Sequence, residues 1–190
     1  MLELFYRGNE MPVLRIIEYP DPVLRQKCKP VAKWDDALFK LIRDMADTLS
    51  LVPGLGLAAI QVGVPVQLFI YDESLGMERP KKDAYSVLIN PEIVYQEGEI
   101  KEEEGCLSIP DYRDTVVRAK IVRVKGFDKD GKGIEITRDG LLARVFQHEI
   151  DHLNGILFID RLSSLKKGLF HRRIKKLQKQ QAKEELLGKV

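Results

Sequence analysis

Two of the chain's three histidines, His148 and His152, stand four residues apart in QHEIDHLNG (147–155), with Glu149 directly after the first. On an α-helix a step of four turns about 400°, so the two rings project about 40° apart and about 6 Å along the axis, close enough to share one ion. Glu149, about 100° round from His148, is badly placed as a third ligand, but its carboxylate can reach a water beside that ion. Such a pattern suits a metal-dependent hydrolase, with imidazoles holding the ion and a glutamate moving protons. A solvated helix face on which these letters happen to meet is the plain alternative. Two imidazoles do not complete a coordination shell, so the question becomes where a third ligand comes from.

Downstream, the position six residues after His152 is Phe158, which cannot ligate, although Gly155 fits one known continuation. His171 lies far off in a basic tail, and Asp160 remains possible. Upstream, Cys106 in EEEGCLSIP (102–110) is the better candidate, because a thiolate is a strong ligand for zinc or iron(II). Free cysteines usually pack as small hydrophobes, and Cys28 in QKCKP is read that way. By themselves these residues point to a divalent metal that tolerates thiolate.

The elements that must position these groups follow from periodicity. Leu38, Leu41, Ile42, Met45 and Leu49 mark one face of a helix over 35–51, with Asp35 as N-cap. VQLFIY (66–71) and SVLIN (86–90) read as strands, with a surface loop over 73–84 between them. Short strands are expected at 93–95, 99–103 and 116–127, and the DKDGKG turn (128–133) leads into another at 134–137. A helix then runs from Gly140 to about Asn154, stopped by Gly155. ILF (156–158) looks like a strand, and the tail from Ser164 looks helical. The expected fold is α+β, with antiparallel sheets packed around a central metal-binding helix and a C-terminal helix. Residues 1–10 form an N-terminal extension, 11–164 the catalytic domain and 165–190 a basic helix.

The motifs also carry a resemblance. GLGLAAIQVG (54–63), EEGCLSIP (103–110) and QHEIDHLNG (147–155) resemble the three signature motifs of the peptide deformylase family, in order and approximate spacing. MPVLRIIEYPDPVLRQKCKPV (11–31), LINPEI (88–93) and GLLARVFQHE (140–149) extend the likeness over roughly Met11 to Ser164. The resemblance implies an enzyme that removes the formyl group from the N-terminal formylmethionine of new polypeptides, releasing formate. It implies metal ligation by Cys106, His148 and His152, catalysis by Glu149, and oxyanion donors in the Gln61 side chain and the Leu107 backbone N–H. It further implies one Fe2+ per chain, with Zn2+, Ni2+ or Co2+ able to replace it, and substrate contacts at Gly54, Leu55 and Gly56. Leu141 and Val145, one and two turns before His148, are expected to line an apolar pocket for the methionine side chain, although simple core packing would also account for them. An ion pair between Glu104 and Arg118 would brace the Cys106 turn.

Composition bounds the rest. With 190 residues, 44% hydrophobic and 32% charged, the chain can bury the core of one domain without cross-links, and no apolar run is long enough to span a membrane. Two cysteines make no disulfide framework, so a reducing, cytoplasmic setting is expected. The net charge of +2 hides an asymmetry, because residues 163–190 hold nine Lys/Arg against two Asp/Glu. Such a tail suits a polyanion, and docking on the ribosome through it is expected. Two other readings compete: a metallopeptidase or different amidase using the same ion, and a ribosome- or RNA-binding module without chemistry. Glu149 and Gln61 together argue against the second, since a pure binding module needs neither.

Overall fold

Leu68, Phe69, Ile70 and Tyr71 follow one another without a polar break, and all four are buried. Successive strand residues face opposite ways, so a strand buries all of them only when both its faces are covered. In the computed structural model, which describes residues 4–5, 13–75 and 85–187 (side chains of the last helix to residue 180), helices supply that cover. The elements run β1 (Leu4–Phe5), β2 (Val13–Leu14), α1 (Asp36–Leu49), β3 (Gly56–Ala58), β4 (Leu68–Asp72), β5 (Tyr85–Glu97) and β6 (Ile100–Cys106). They continue with β7 (Ile109–Arg118), β8 (Ile121–Phe127), β9 (Gly133–Asp139), α2 (Gly140–Leu153) and α3 (Ser164–Leu187). The fold is α+β, as expected.

Five strands form one antiparallel sheet in the order β3-β4-β5-β8-β9, and β6 pairs only with β7. Leu68 and Ile70 pack with Leu38, Leu41, Met45 and Leu49 of α1, while Phe69 and Tyr71 pack with Phe146, Ile150 and Leu153 of α2. The period of two in β4 thus separates two cores on opposite faces of the sheet. Asp35 caps α1, its carboxylate accepting from the Leu38 N–H. At the other end of α2, Gly155 takes φ +72° and lies so close to Arg25 that a Cβ there would meet the Arg25 carbonyl oxygen at 2.4 Å. A third core joins Phe158, Ile159, Ile109 and Val116 to Phe170 of α3.

Three local expectations need correction. β5 does not stop at Pro91 but runs on to Glu97, because its register shifts between Ile89 and Glu92, where the missing proline N–H leaves no ladder bond unmade. ILF is not a strand: a 3-10 turn covers Phe158–Arg161, with Asp160 accepting from the Leu157 N–H. The span 116–127 is two strands, β7 and β8, meeting at Ala119-Lys120. The loop expected over 73–84 lies largely outside the described residues. So does the proposed extension over 1–10, except for β1, which pairs with β2. Among the described residues, no helix is long and apolar enough to cross a membrane.

Candidate metal centre

The alternation that buries Phe146, Ile150 and Leu153 against the sheet turns His148, Glu149 and His152 toward β6 and β3. Cys106, at the end of β6, meets them there. Its Sγ lies 3.2 Å from His152 Nε2, which is 3.3 Å from His148 Nε2. The three ligand atoms all fall within 4.8 Å of one another. Donors bound to one tetrahedral ion at about 2.0–2.3 Å stand roughly 3.3–3.6 Å apart, so this cradle fits a transition-metal ion. Asp160, the alternative third ligand, is turned away and paired with Arg25.

A buried ionic chain stands behind the cradle. His148 Nδ1 is 3.1 Å from Glu104 Oε2, an arrangement that leaves Nε2 for the ion. Arg118 donates through Nε and Nη2 to both Glu104 oxygens, at 2.8 and 3.0 Å, and through Nη1 to Asp151. Asp151 in turn accepts from Arg161. The Glu104–Arg118 pair expected from sequence is therefore present, and it is buried rather than a surface feature. Burial alone would raise the Glu104 carboxyl, but the hydrogen bonds from His148 and Arg118 outweigh it and hold the group down at about 2. Burial also disfavours charge on both histidines. Hydrogen bonds to Cys106 and Glu104 nevertheless raise His148 above its ordinary value, favouring a proton that a bound cation would displace from Nε2, whereas burial and the neighbouring positive charges lower His152 well below it. A neutral His152 offers its lone pair at Nε2.

Glu149 is 3% exposed, and its Oε2 has no hydrogen-bond partner. Burial, the largest influence, pushes its carboxyl up to about 7. A group balanced there can both take and return a proton near neutral pH. Gln61 sits on a 3-10 turn (Ala59–Val62) just after β3. Its Oε1 accepts from the Ala58 N–H at 2.8 Å, which fixes the amide so that Nε2 faces Ser108 Oγ at 3.2 Å and Cys106 Sγ at 3.7 Å. A donor held in that attitude beside the cradle is pre-organised for negative charge developing on a carbonyl oxygen.

Pro53, Gly54, Leu55, Gly56, Gln61 and Leu107 share one cavity of about 900 Å3 with Cys106, His148 and Glu149. Leu141 and Val145 line the same space. Arg144 lies between them, pairs with Glu102 and donates to the Glu103 carbonyl oxygen, tying α2 to β6.

Polypeptide deformylase is the family whose sequence model matches this chain, over residues 13–168. The chain belongs to that family. A peptide deformylase from Mesorhizobium japonicum is 49% identical over 179 residues, covering 94% of this chain and 100% of the relative. The crystal structure of a peptide deformylase from Legionella pneumophila superposes with a TM-score of 0.80 at 47% identity, covering 90% of this chain and 98% of that one. A plant peptide deformylase gives 0.81 at 35% identity, covering 94% and 96%. The chain is thus a hydrolase of protein biosynthesis that removes the N-formyl group from nascent polypeptides.

Sequence reasoning missed several deformylase residues around the centre. Asp151 closes the ionic chain behind His148, and Ser108 receives the Gln61 amide. Gln147 pairs its amide with both backbone groups of Ala119 and so fastens α2 to the β7–β8 turn. Asp151 and Gln147 both fall inside the histidine motif, and their polarity on a helix that is otherwise buried there was the available signal. Arg173, within the basic tail, stays exposed but donates to the Asp111 carbonyl oxygen and lines the cavity.

Proposed function

We propose that Cys106, His148 and His152 hold one Fe2+ ion, and that Glu149, Gln61 and the Leu107 backbone N–H carry out the deformylation. The observation that carries this reading is the meeting of two imidazole Nε2 atoms and one thiolate within 4.8 Å, beside a buried carboxylate with an unpartnered oxygen. Thiolate and imidazole ligands suit Fe2+, and equally Zn2+, Ni2+ or Co2+. A divalent ion in this cradle supplies Lewis-acid polarisation of a carbonyl and makes water acidic enough to attack near neutral pH. Glu149 accepts the proton of the attacking water and returns it to the departing amine nitrogen. The Gln61 amide and the Leu107 N–H donate to the formyl oxygen as it gains charge. Gly54, Leu55 and Gly56 offer a backbone edge on which the substrate chain can lie, and Leu141 and Val145 enclose the methionine side chain.

Residues 11–164 carry the catalytic groups, the basic helix over 165–190 packs on them through Phe170, and its outward lysines dock the enzyme on the ribosome, where its substrate emerges. Lys175, Lys176 and Lys179 are exposed on α3, as phosphate contacts require. A free thiol ligand is kept reduced in the cytoplasm, where we place the enzyme.

Formate release should be measured on anaerobically prepared protein with formyl-Met-Ala-Ala amide, its acetyl counterpart and an unmodified peptide, alongside metal analysis. Cleavage of the formyl peptide alone, with about one iron per chain, is expected. Acetyl cleavage at a similar rate would point to a broader amidase. For the tail, charge reversal at Lys175, Lys176 and Lys179 should weaken co-sedimentation with ribosomes at low salt, and equal co-sedimentation would remove the docking role.

A further inference from the structure

The hairpin of β6 and β7 turns tightly at Leu107-Ser108 but carries a bulge in β7 just beyond it. Cys106 pairs with Ile109 and Gly105 with Arg113, so Pro110, Asp111 and Tyr112 bulge out of the ladder beside the metal cradle. Asp111 has φ +58°, an uncommon conformation for a residue other than glycine. Helix α3 holds this bulge in place. Phe170, 1% exposed, packs against the Tyr112 ring at 4.8 Å between centroids, and Lys166 pairs with Asp114. Arg173 donates from Nη2 to the Asp111 carbonyl oxygen at 2.8 Å and lies over the Tyr112 ring at 5.7 Å.

That placement puts a guanidinium in the wall of the substrate cavity. The other arginines lining the cavity are already paired, Arg113 with Glu103 and Arg144 with Glu102. Among the described residues, Arg173 has no carboxylate partner, and the exposed Asp111 carboxylate on the same bulge makes no ion pair with it. A cavity of about 900 Å3 is large enough to enclose a drug-sized ligand, so it houses more than formylmethionine alone. The residues that follow formylmethionine therefore share the cavity wall with the Asp111 carboxylate and with a guanidinium that no carboxylate pairs, whose remaining N–H donors suit a carboxylate.

We propose that Arg173 is a specificity-determining residue that favours formylated chains with an acidic side chain downstream of the formylmethionine. The inference rests on the deformylase reading and names a preference within it. It also gives the basic helix a task at the active site, separate from any docking by its outward lysines.

The test compares kcat/KM for amidated formyl-Met-Ala-Xaa-Ala and formyl-Met-Ala-Ala-Xaa, with Xaa as Asp, Asn or Lys. The expected Asp-to-Asn ratio is about two to five at one of the two positions, the range for a solvent-exposed ion pair, and is expressed mainly in KM. Lys should fall below Asn, and both differences should shrink as salt is added. In Arg173→Gln the Asp-to-Asn ratio should approach one, and in Arg173→Lys most of it should return. Because each ratio is taken within one protein, loss of folded Arg173→Gln leaves the comparison in the parent enzyme, with its salt dependence, decisive. A parent ratio at or below one at both positions overturns the proposal, as does a ratio unchanged in Arg173→Gln. Failure of the parent to cleave any formylated peptide would instead overturn the deformylase reading.

Discussion

A methyl group placed on Gly56 would strike the Glu149 carboxylate. Its Cβ would lie 2.6 Å from Glu149 Oε1 and 2.9 Å from both Cδ and Cγ, where ordinary contacts begin at 3.4 Å. Relief requires Glu149 to withdraw by about 0.5–1 Å, since separations well inside about 3.5 Å are repulsive. The backbone itself poses no obstacle, because Gly56 has no positive φ. Glu149 is 3% exposed and lines the cavity, so any retreat of its carboxylate moves it within the reaction space. A displacement near 1 Å at a reacting group costs on the order of 100-fold in rate, whereas the overpacking costs about 1–3 kcal/mol of stability. Gly56→Ala should therefore fold, keep its metal and lose about 100-fold in kcat, with KM little changed. Glu149→Asp removes the methylene that the new Cβ would meet, so combining the two changes should cost less than the product of their separate effects. Steady-state kinetics with a formylated tripeptide, metal analysis and thermal melting would settle the matter. A Gly56→Ala enzyme within threefold of the parent kcat, or one impaired only in KM, would refute the steric argument and assign Gly56 to backbone contact with substrate alone.

Cys106→Ala should lose most of its bound metal while Asp160→Asn keeps it, because only the former lies in the cradle; metal analysis after dialysis distinguishes them, and full occupancy in Cys106→Ala would contradict the ligand set. Gln61→Leu should retain metal and lose about 100-fold or more in kcat, since it removes a donor used as charge develops on the oxygen. It also strands the Ala58 N–H, so a stability loss of about 1–3 kcal/mol should accompany it; turnover near that of the parent would exclude Gln61 from the chemistry. Asp114 anchors α3, and although burial tends to raise its carboxyl, the Lys166 ammonium and the Thr115 N–H hold it below its ordinary value of 3.8. A depressed folded-state pKa adds stability above pH 3.8 that disappears as pH falls through the lower folded value. Asp114→Asn should accordingly flatten the acid limb of the melting-temperature profile, and an unaltered limb would show that the pair contributes nothing.

Local rules made part of this protein legible in its sequence. An α-helix fixes the relation between His148 and His152 by its own pitch, and Asp35 caps α1 within three residues of its partner. The unbroken apolar run ending in Tyr71 announced a strand covered on both faces, although periodicity could not say which helix covers which face. Motif likeness nominated Cys106, yet its arrival 3.2 Å from His152, 46 residues along the chain, depends on how β6 leaves the sheet and folds back on β7. The same holds for Asp160, which is chemically able to bind a metal but drawn off by Arg25, and for Arg173, whose bond to the Asp111 carbonyl oxygen follows from no local rule. Charge and spacing state what a side chain is able to do. Which partner reaches it first is decided by long-range packing: Phe170 enters the third core, and that anchorage brings the exposed Arg173 to the wall of the substrate cavity.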